Sequence, residues 1–314
     1  MTKFKELTDS QVEFIKDCIK NTPEGGMAET EAVLSEKFGV SDRTIRRWRR
    51  KVFSLDKTGA KILVYDLETS RATAKVFWTG KQYVGYKSIV EQPRIISVSW
   101  SWVGEDKVHS LVWDENQSDK SLVEDFVTNQ YNKADLVIGY NQNNFDNRWL
   151  NAQAIEYGVY INTHVRSLDL YKEEKRLARQ LSYSMDFSAK KYDVEYKQSH
   201  EGLVMWDKIE DGTKAEQKEY FQKLVDYNVG DIVTTEALYF RLLPYIKHQS
   251  HLGVLKGRKK FSCPVCGGYN VELFKITTTA AGTKQFVMRC KDDGATFKIN
   301  GKQYAEFVEQ VVNA

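Results

Sequence analysis

The sequence predicts an α/β core carrying two small appendages, one helical and one cysteine-bearing. Three observations predict it. Runs of strand length and strand composition (ILVYDLET, RIISVSWSWV) are followed by alternating helical and strand-like segments, as in a mixed sheet with helices against it. The first 52 residues read as three helices, the last of them the arginine-dense SDRTIRRWRRK. Three of the four cysteines, Cys263, Cys266 and Cys290, gather near the C-terminus around a C-x-x-C pair. The expected division is residues 1–52, 60–247 and 258–314, within the two or three domains that 314 residues allow.

Composition narrows the class. A hydrophobic content of 41% with 12% aromatics fits a soluble globular protein, and no apolar stretch approaches the roughly 20 residues that cross a bilayer. The opening MTKFKELTDSQ has no apolar secretory core, so a cytoplasmic protein without membrane contact is expected. The formal net charge of +3 is unevenly spread. Residues 1–52 hold 11 basic against 9 acidic side chains and residues 245–314 hold 11 against 5, whereas the stretch between them holds 24 against 29. Basic ends around an acidic centre suit a protein that grips a polyanion while its middle concentrates metal-binding carboxylates.

In the first segment, Thr8 with Gln11 forms a capping box, and Val12, Phe14, Ile15, Cys18 and Ile19 recur at helical spacing. A second helix, MAETEAVLSEKFGV, turns Val33, Leu34 and Phe38 inward and closes at Gly39. The third starts on a Ser41 cap and keeps Ile45 and Trp48 on one face, leaving Arg46, Arg47, Arg49, Arg50 and Lys51 to face outward. The segment resembles a helix-turn-helix with its last helix in the recognition position, and arginines at this density are expected to contact phosphates.

From Lys61 the pattern changes. KILVYDLET, RIISVSWSWV and KVHSLVWDE read as strands, SLVEDFVTNQYN as a helix and ADLVIGYN as a short buried strand. RSLDLYKEEKRLARQL, SMDFSAKKYD and the long run from Lys214 to Pro244 read as helices, and HQSHLGVLKGRKK as a basic connector. Period-two alternation sets Asp66 and Glu68 on one side of the first strand, where two like charges need compensation. Asp146 follows the buried strand at a helix start, and Tyr227 and Asp231 stand four apart on one helical face.

Taken in order, D-x-E, N-x-x-x-F-D and Y-x-x-x-D resemble the motifs of DEDD exonucleases of the ribonuclease H-like fold, in the tyrosine subtype of proofreading domains. Asp66 and Glu68 match the first motif, Asn141, Phe145 and Asp146 the second, and Tyr227 with Asp231 the third. The histidine subtype would need a His where Asp226 stands. The resemblance implies a ribonuclease H-like mixed sheet and a 3′-to-5′ exonuclease releasing mononucleotides from nucleic acid, DNA in the first instance. It also implies two Mg²⁺ or Mn²⁺ ions. Asp66 would bridge them, Glu68 and Asp231 would hold the ion that activates water, Asp146 the ion at the leaving group, and Tyr227 would orient the attacking water. Asn141 and Phe145 would touch substrate, a 3′ end. No polymerase signature is present, so proofreading would need a separate polymerase or another replication or repair partner.

The C-terminal segment repeats a knuckle, Cys263-Pro-Val-Cys266-Gly267 and Cys290-Lys-Asp-Asp293-Gly294, across a hairpin formed by NVELFKI and KQFVMRC. It resembles a zinc ribbon in which Asp293, or else His251 or water, takes the fourth position on a structural Zn²⁺. Lys259 and Lys260, with other basic residues nearby, point to nucleic acid as its partner. Two other readings compete: a transposase-like or integrase-like protein, and a DNA-binding regulator with a silent nuclease core. Cys18, His109 and His164 read as structural, and Trp149 as poised between core packing and base stacking.

Overall fold

The computed structural model describes residues 61–194, 202–246 and 251–312 apart from 79, 106 and 256, together with 27–41 and scattered positions nearer the N-terminus. There, helix α1 (Met27–Phe38) stops at Gly39, whose φ of 61° ends the helical path. Ile15, Leu34, Val40, Ile45 and Trp48 form a closed apolar cluster, with Phe38 edge-on to Trp48 at 5.4 Å. The capping box is present in both directions: the Thr8 N–H donates to Gln11 Oε1 at 2.9 Å and the Gln11 N–H to Thr8 Oγ1 at 3.3 Å. Ser41 accepts from the Thr44 N–H as expected. Val33 does not turn inward; it is exposed while its neighbour Leu34 is fully buried, because one residue is about 100° of helix rotation. Val12, Ile19, Arg46, Arg47, Arg49, Arg50 and Lys51 lie outside the described residues.

The core is a mixed α/β unit. Strand β1 (Ile62–Thr69) lies at the centre of a five-stranded sheet with a two-residue strand β2 (Thr73–Ala74) and β3 (Ile89–Glu91) as a separate small ribbon behind it in sequence. Strands β4 (Ile95–Trp102) and β5 (His109–Val112) extend one side as an antiparallel meander. Helix α2 (Lys120–Asn129) then crosses to β6 (Leu136–Gly139), and α3 (Asp146–Tyr157) crosses to β7 (Arg166–Asp169), both strands running parallel to β1. The order is β5-β4-β1-β6-β7.

Alternation along β1 explains its place. Leu63, Tyr65 and Leu67 are buried against Leu122, Val123, Phe126 and Val127 of α2 and Leu150 and Ala154 of α3. Rings of Tyr65 and Trp100 each pack about Phe126, at 5.3 and 5.4 Å. Burial of each such side chain contributes about 1.5–3 kcal/mol, so one face of the strand is firmly fixed and the other is free for polar work. Opposite Asp66 and Glu68 on β4 stand Ser99 and Ser97, small and fully buried. Next to Glu68 the pairing slips from Ser97 to Ile95, leaving Ile96 as a bulge whose side chain joins a second cluster with Trp113, Met205, Ile209 and Leu224.

Three segments depart from expectation. Arg166–Asp169 is an edge strand rather than the start of a helix: it pairs with β6, and α4 (Leu170–Leu177) begins only after Asp169, which caps it. Pairing with a sheet edge outweighs a helical pattern of four residues. After α5 (Met185–Lys191), an unanticipated helix α6 (Leu203–Glu210) precedes the long α7 (Lys214–Leu242), which ends in a 3₁₀ turn at Pro244. The stretch expected to be a connector holds a short helix α8 (Leu252–Leu255). Its Leu252 is fully buried and donates its N–H to Pro264 O at 2.8 Å. Gly253 lies so close to Ser262 and Gly267 that a Cβ there would meet Ser262 Oγ at 2.4 Å, so this segment belongs to the packing of the C-terminal sheet. That sheet, β8 (Val271–Thr278), β9 (Lys284–Cys290) and β10 (Thr296–Ile299), is antiparallel in the order β10-β9-β8. Helix α9 (Gly301–Phe307) follows, capped by Asn300, and stacks Tyr304 on Phe286 at 4.1 Å.

Candidate active site

Because Leu63, Tyr65 and Leu67 point into the core, Asp66 and Glu68 must share the opposite face of β1. Helix α7 brings a third acid to them: carboxylate oxygens of Asp66, Glu68 and Asp231 lie within 4.8 Å of one another. Tyr227, one turn before Asp231, hydrogen-bonds to it, and burial followed by the charges of Asp231, Glu68 and Asp66 raises the phenol above its ordinary range. A phenol raised in this way stays neutral and keeps its O–H as a hydrogen-bond donor.

Asp146 meets β1 at its backbone. It opens α3, where the helix N-terminus favours a carboxylate, and its Oδ1 accepts the Leu67 N–H at 2.9 Å, between the two acids of the strand. Asp146 is not part of the trio within 4.8 Å; it is tied to it through the backbone of Leu67. Burial raises its carboxyl to about 7, partly countered by the Leu67 N–H and reinforced by the charges of Asp169 and Asp231.

The chain reaches Asp146 through a tight turn after β6. Gly139 is required there, since a Cβ would meet Gln142 Oε1 at 2.4 Å, and Asn141 takes a left-handed φ of 62°, a conformation asparagine tolerates. Asn141 does not reach outward: its Oδ1 accepts from Asn144 Nδ2 at 2.9 Å, so it supports the turn. Phe145 remains exposed and meets Trp149 edge-on at 6.4 Å, while Trp149 packs against the core.

Two residues of the site escaped the sequence reading. Asp169, buried at the end of β7, accepts the backbone N–H groups of Asn141 at 3.0 Å and Asn143 at 3.2 Å and caps α4 through Lys172, so one carboxylate fixes the turn that delivers Asp146. Asn228, fully buried beside Tyr227, donates from Nδ2 to Asp66 Oδ2 at 2.5 Å. A signal existed for Asn228, which stands three before Asp231 and hence on the same helical face. None existed for Asp169 beyond its capping position.

Three convergent carboxylates, a fourth nearby and no softer donor among them form an oxygen-only set suited to hard divalent cations.

Residues 91–243 match the RNase_H superfamily. The matched stretch includes Asp146, Tyr227 and Asp231, and β1 with Asp66 and Glu68 precedes it. No curated protein matches the sequence. Among solved structures, the family B DNA polymerase from the hyperthermophilic archaeon Pyrobaculum calidifontis is similar with a TM-score of 0.40 and 15% identity, over 63% of this chain and 26% of the polymerase. This chain therefore spans about a quarter of that protein's length.

A second ligand cluster lies in the C-terminal sheet. Cys263, Cys266, Cys290 and Asp293 are all buried with their donor atoms within 4.8 Å of one another. Cys266 Sγ and Cys290 Sγ are 3.6 Å apart and Cys263 Sγ is 3.2 Å from Asp293 Oδ2. An S–S separation near 3.8 Å is the edge of a tetrahedron with metal–sulfur bonds of roughly 2.3 Å, so the set fits Zn²⁺. Hydrogen bonds from Cys263 and Cys266 hold the Cys290 thiol well below its usual range, and burial raises the carboxyl of Asp293 to about 7. His251 turns both ring nitrogens to backbone groups, the Lys260 carbonyl and the Val254 N–H. Lys259 and Lys260 are exposed, whereas Arg289 and Lys291 pair with Glu272. No helix among the described residues is long and apolar enough to cross a membrane.

Proposed function

We propose that this chain is a metal-dependent 3′-to-5′ exonuclease of the tyrosine subtype, acting on nucleic acid, DNA foremost. The observation that carries the proposal is the convergence of Asp66, Glu68 and Asp231 within 4.8 Å with the Tyr227 hydroxyl bonded to Asp231. Asp66, Glu68 and Asp231 would hold a pair of Mg²⁺ or Mn²⁺ ions, with Asp146 the fourth carboxylate beside them. When bound, such ions supply a deprotonated water at neutral pH and offset charge on the leaving oxygen.

The chain's own residues do the rest. Asn228 holds Asp66 in one orientation, and Asp146 keeps the Leu67 peptide, and with it the strand between the two acids, from shifting. Tyr227 presents its hydroxyl where a water entering beside Asp231 and Glu68 is oriented by hydrogen bonding. Phe145, exposed at the start of α3, offers a ring face to a terminal base. The Cys263, Cys266, Cys290 and Asp293 set is proposed to bind a structural Zn²⁺, and the arginine-rich N-terminal segment with Lys259 and Lys260 to bind phosphates.

A 5′-labelled single strand incubated with Mg²⁺ tests the reading. A descending ladder, lost in Asp66→Ala, is expected; internal cuts or strand joining would favour a transposase-like activity, and an intact strand would leave a binding protein.

A further inference from the structure

Between the two acids of β1 and the start of β4 the chain makes a detour whose surface the nuclease reading does not use. Phe77 is fully exposed, Tyr83 is 95% exposed and Trp78 62%, and Tyr86 is exposed beside them. Rings of this size left in water in one short segment call for a partner. They are not on a loose end: β2 pairs with β3, the Lys75 N–H donates to Ser88 O at 2.9 Å, and Gln82 Nε2 donates to Trp78 O at 2.6 Å. The segment encloses a groove of about 380 Å³ lined by Phe77, Trp78 and Tyr83 together with Lys75 and Lys81.

Charge selects the occupant. Residues 72–91 contain Lys75, Lys81 and Lys87, all exposed, against a single carboxylate, Glu91, which accepts from the Thr73 hydroxyl at 3.2 Å. Lysine is depleted from the centres of protein–protein interfaces, whereas rings interleaved with cations are what stacks bases and tracks a phosphate backbone. Bases in a duplex have both faces covered, so only an unpaired strand offers faces to these rings. Lys75 stands seven residues after Glu68, which bounds their separation at about 25 Å for a fully extended chain, the reach of a few nucleotides. We propose that residues 72–91 form a stacking platform for single-stranded nucleic acid, holding the strand whose end enters the acidic cluster. Its catalytic sense rests on the nuclease reading, but the platform itself does not.

The test uses the full chain without added Mg²⁺ or Mn²⁺ and a fluorescent oligothymidylate of about 12 nucleotides, a length within ordinary single-strand site sizes. Replacing Phe77, Trp78 and Tyr83 together by Ala is expected to weaken binding about tenfold or more, with duplex binding and melting temperature unchanged because the rings are exposed. Lys75→Gln, Lys81→Gln and Lys87→Gln combined should lower the slope of log affinity against log salt by roughly two. Oligonucleotides carrying 5-iodouracil should crosslink within residues 72–91. Equal affinity of the alanine variant, or crosslinks only elsewhere, overturns the platform, and equal affinity assigns the patch to a protein partner instead. No Mg²⁺ or Mn²⁺ is supplied in the binding assay, so a chain that binds there but leaves the strand intact once Mg²⁺ is added refutes the nuclease reading alone.

Discussion

Asn228 donates from its side-chain amide to Oδ2 of Asp66 at 2.5 Å, across 162 residues of sequence. The carboxylate can only accept, which fixes the amide orientation and leaves Asn228 Oδ1 buried without a hydrogen-bond partner among the described residues. An arrangement that strands one polar atom to orient an acid is a positioning device. Asn228→Ala is expected to lower activity about 10- to 100-fold, chiefly by raising the Mg²⁺ or Mn²⁺ concentration needed for half-maximal rate. A metal titration of both proteins decides this, and an unchanged midpoint would reduce Asn228 to a packing role.

Asp169→Ala removes three backbone hydrogen bonds at once, two from the turn before Asp146 and one from the start of α4. Loss of a charged acceptor and a helix cap at a buried position should cost about 2–4 kcal/mol, measured by urea unfolding. Activity should fall further than stability alone explains, since the turn aims Asp146.

Metal should stabilise the site by relieving repulsion among its acids. Mg²⁺ or Mn²⁺ is expected to raise the melting temperature of the wild type and barely that of Asp66→Asn. Equal shifts in the two proteins would refute the carboxylate site.

The raised carboxyl of Asp146 gives a pH signature in metal-free protein. Its folded value of about 7 lies above its ordinary 3.8, so the folded state binds the proton more tightly than the unfolded state does. Its contribution to stability is therefore fully present below about pH 4 and is lost as pH rises to about 7, amounting to up to about 4 kcal/mol. Asp146→Asn keeps an acceptor for Leu67 and cannot ionise. Its melting temperature should overtake the wild type's as pH rises from 5 to 8; parallel curves would show that Asp146 titrates normally.

One equivalent of zinc per chain should be found by elemental analysis, falling sharply in Cys290→Ser and partly in Asp293→Ala. A strong chelator should lower the stability of the C-terminal sheet in the wild type by several kcal/mol, given the affinity of structural zinc sites. A metal-free wild type with unchanged melting would set the zinc assignment aside.

The legibility of this chain varied with the range of the interaction involved. Period-two alternation placed Asp66 and Glu68 on one face of β1, and helical spacing placed Tyr227 over Asp231, because both follow from the geometry of a single element. Caps at Thr8 and Ser41 were readable for the same reason. Val33 faces water because it lies one helical position away from the buried Leu34, and Arg166–Asp169 is strand despite its local helical pattern because its partner strand lies about 30 residues earlier.

By itself the sequence determined the mixed α/β class of the core, the identity of its acids and the three cysteines of the C-terminal cluster, since each is written in local pattern and residue chemistry; the structure set Asp293 rather than His251 beside them. Only the tertiary structure decided that three of those acids converge while Asp146 grips the Leu67 peptide, that Asp169 and Asn228 hold them in place, and that the rings after β1 face water. Hydrogen bonds spanning 28 to 162 residues and the burial of one face rather than another are outcomes of packing, and no local pattern encodes them.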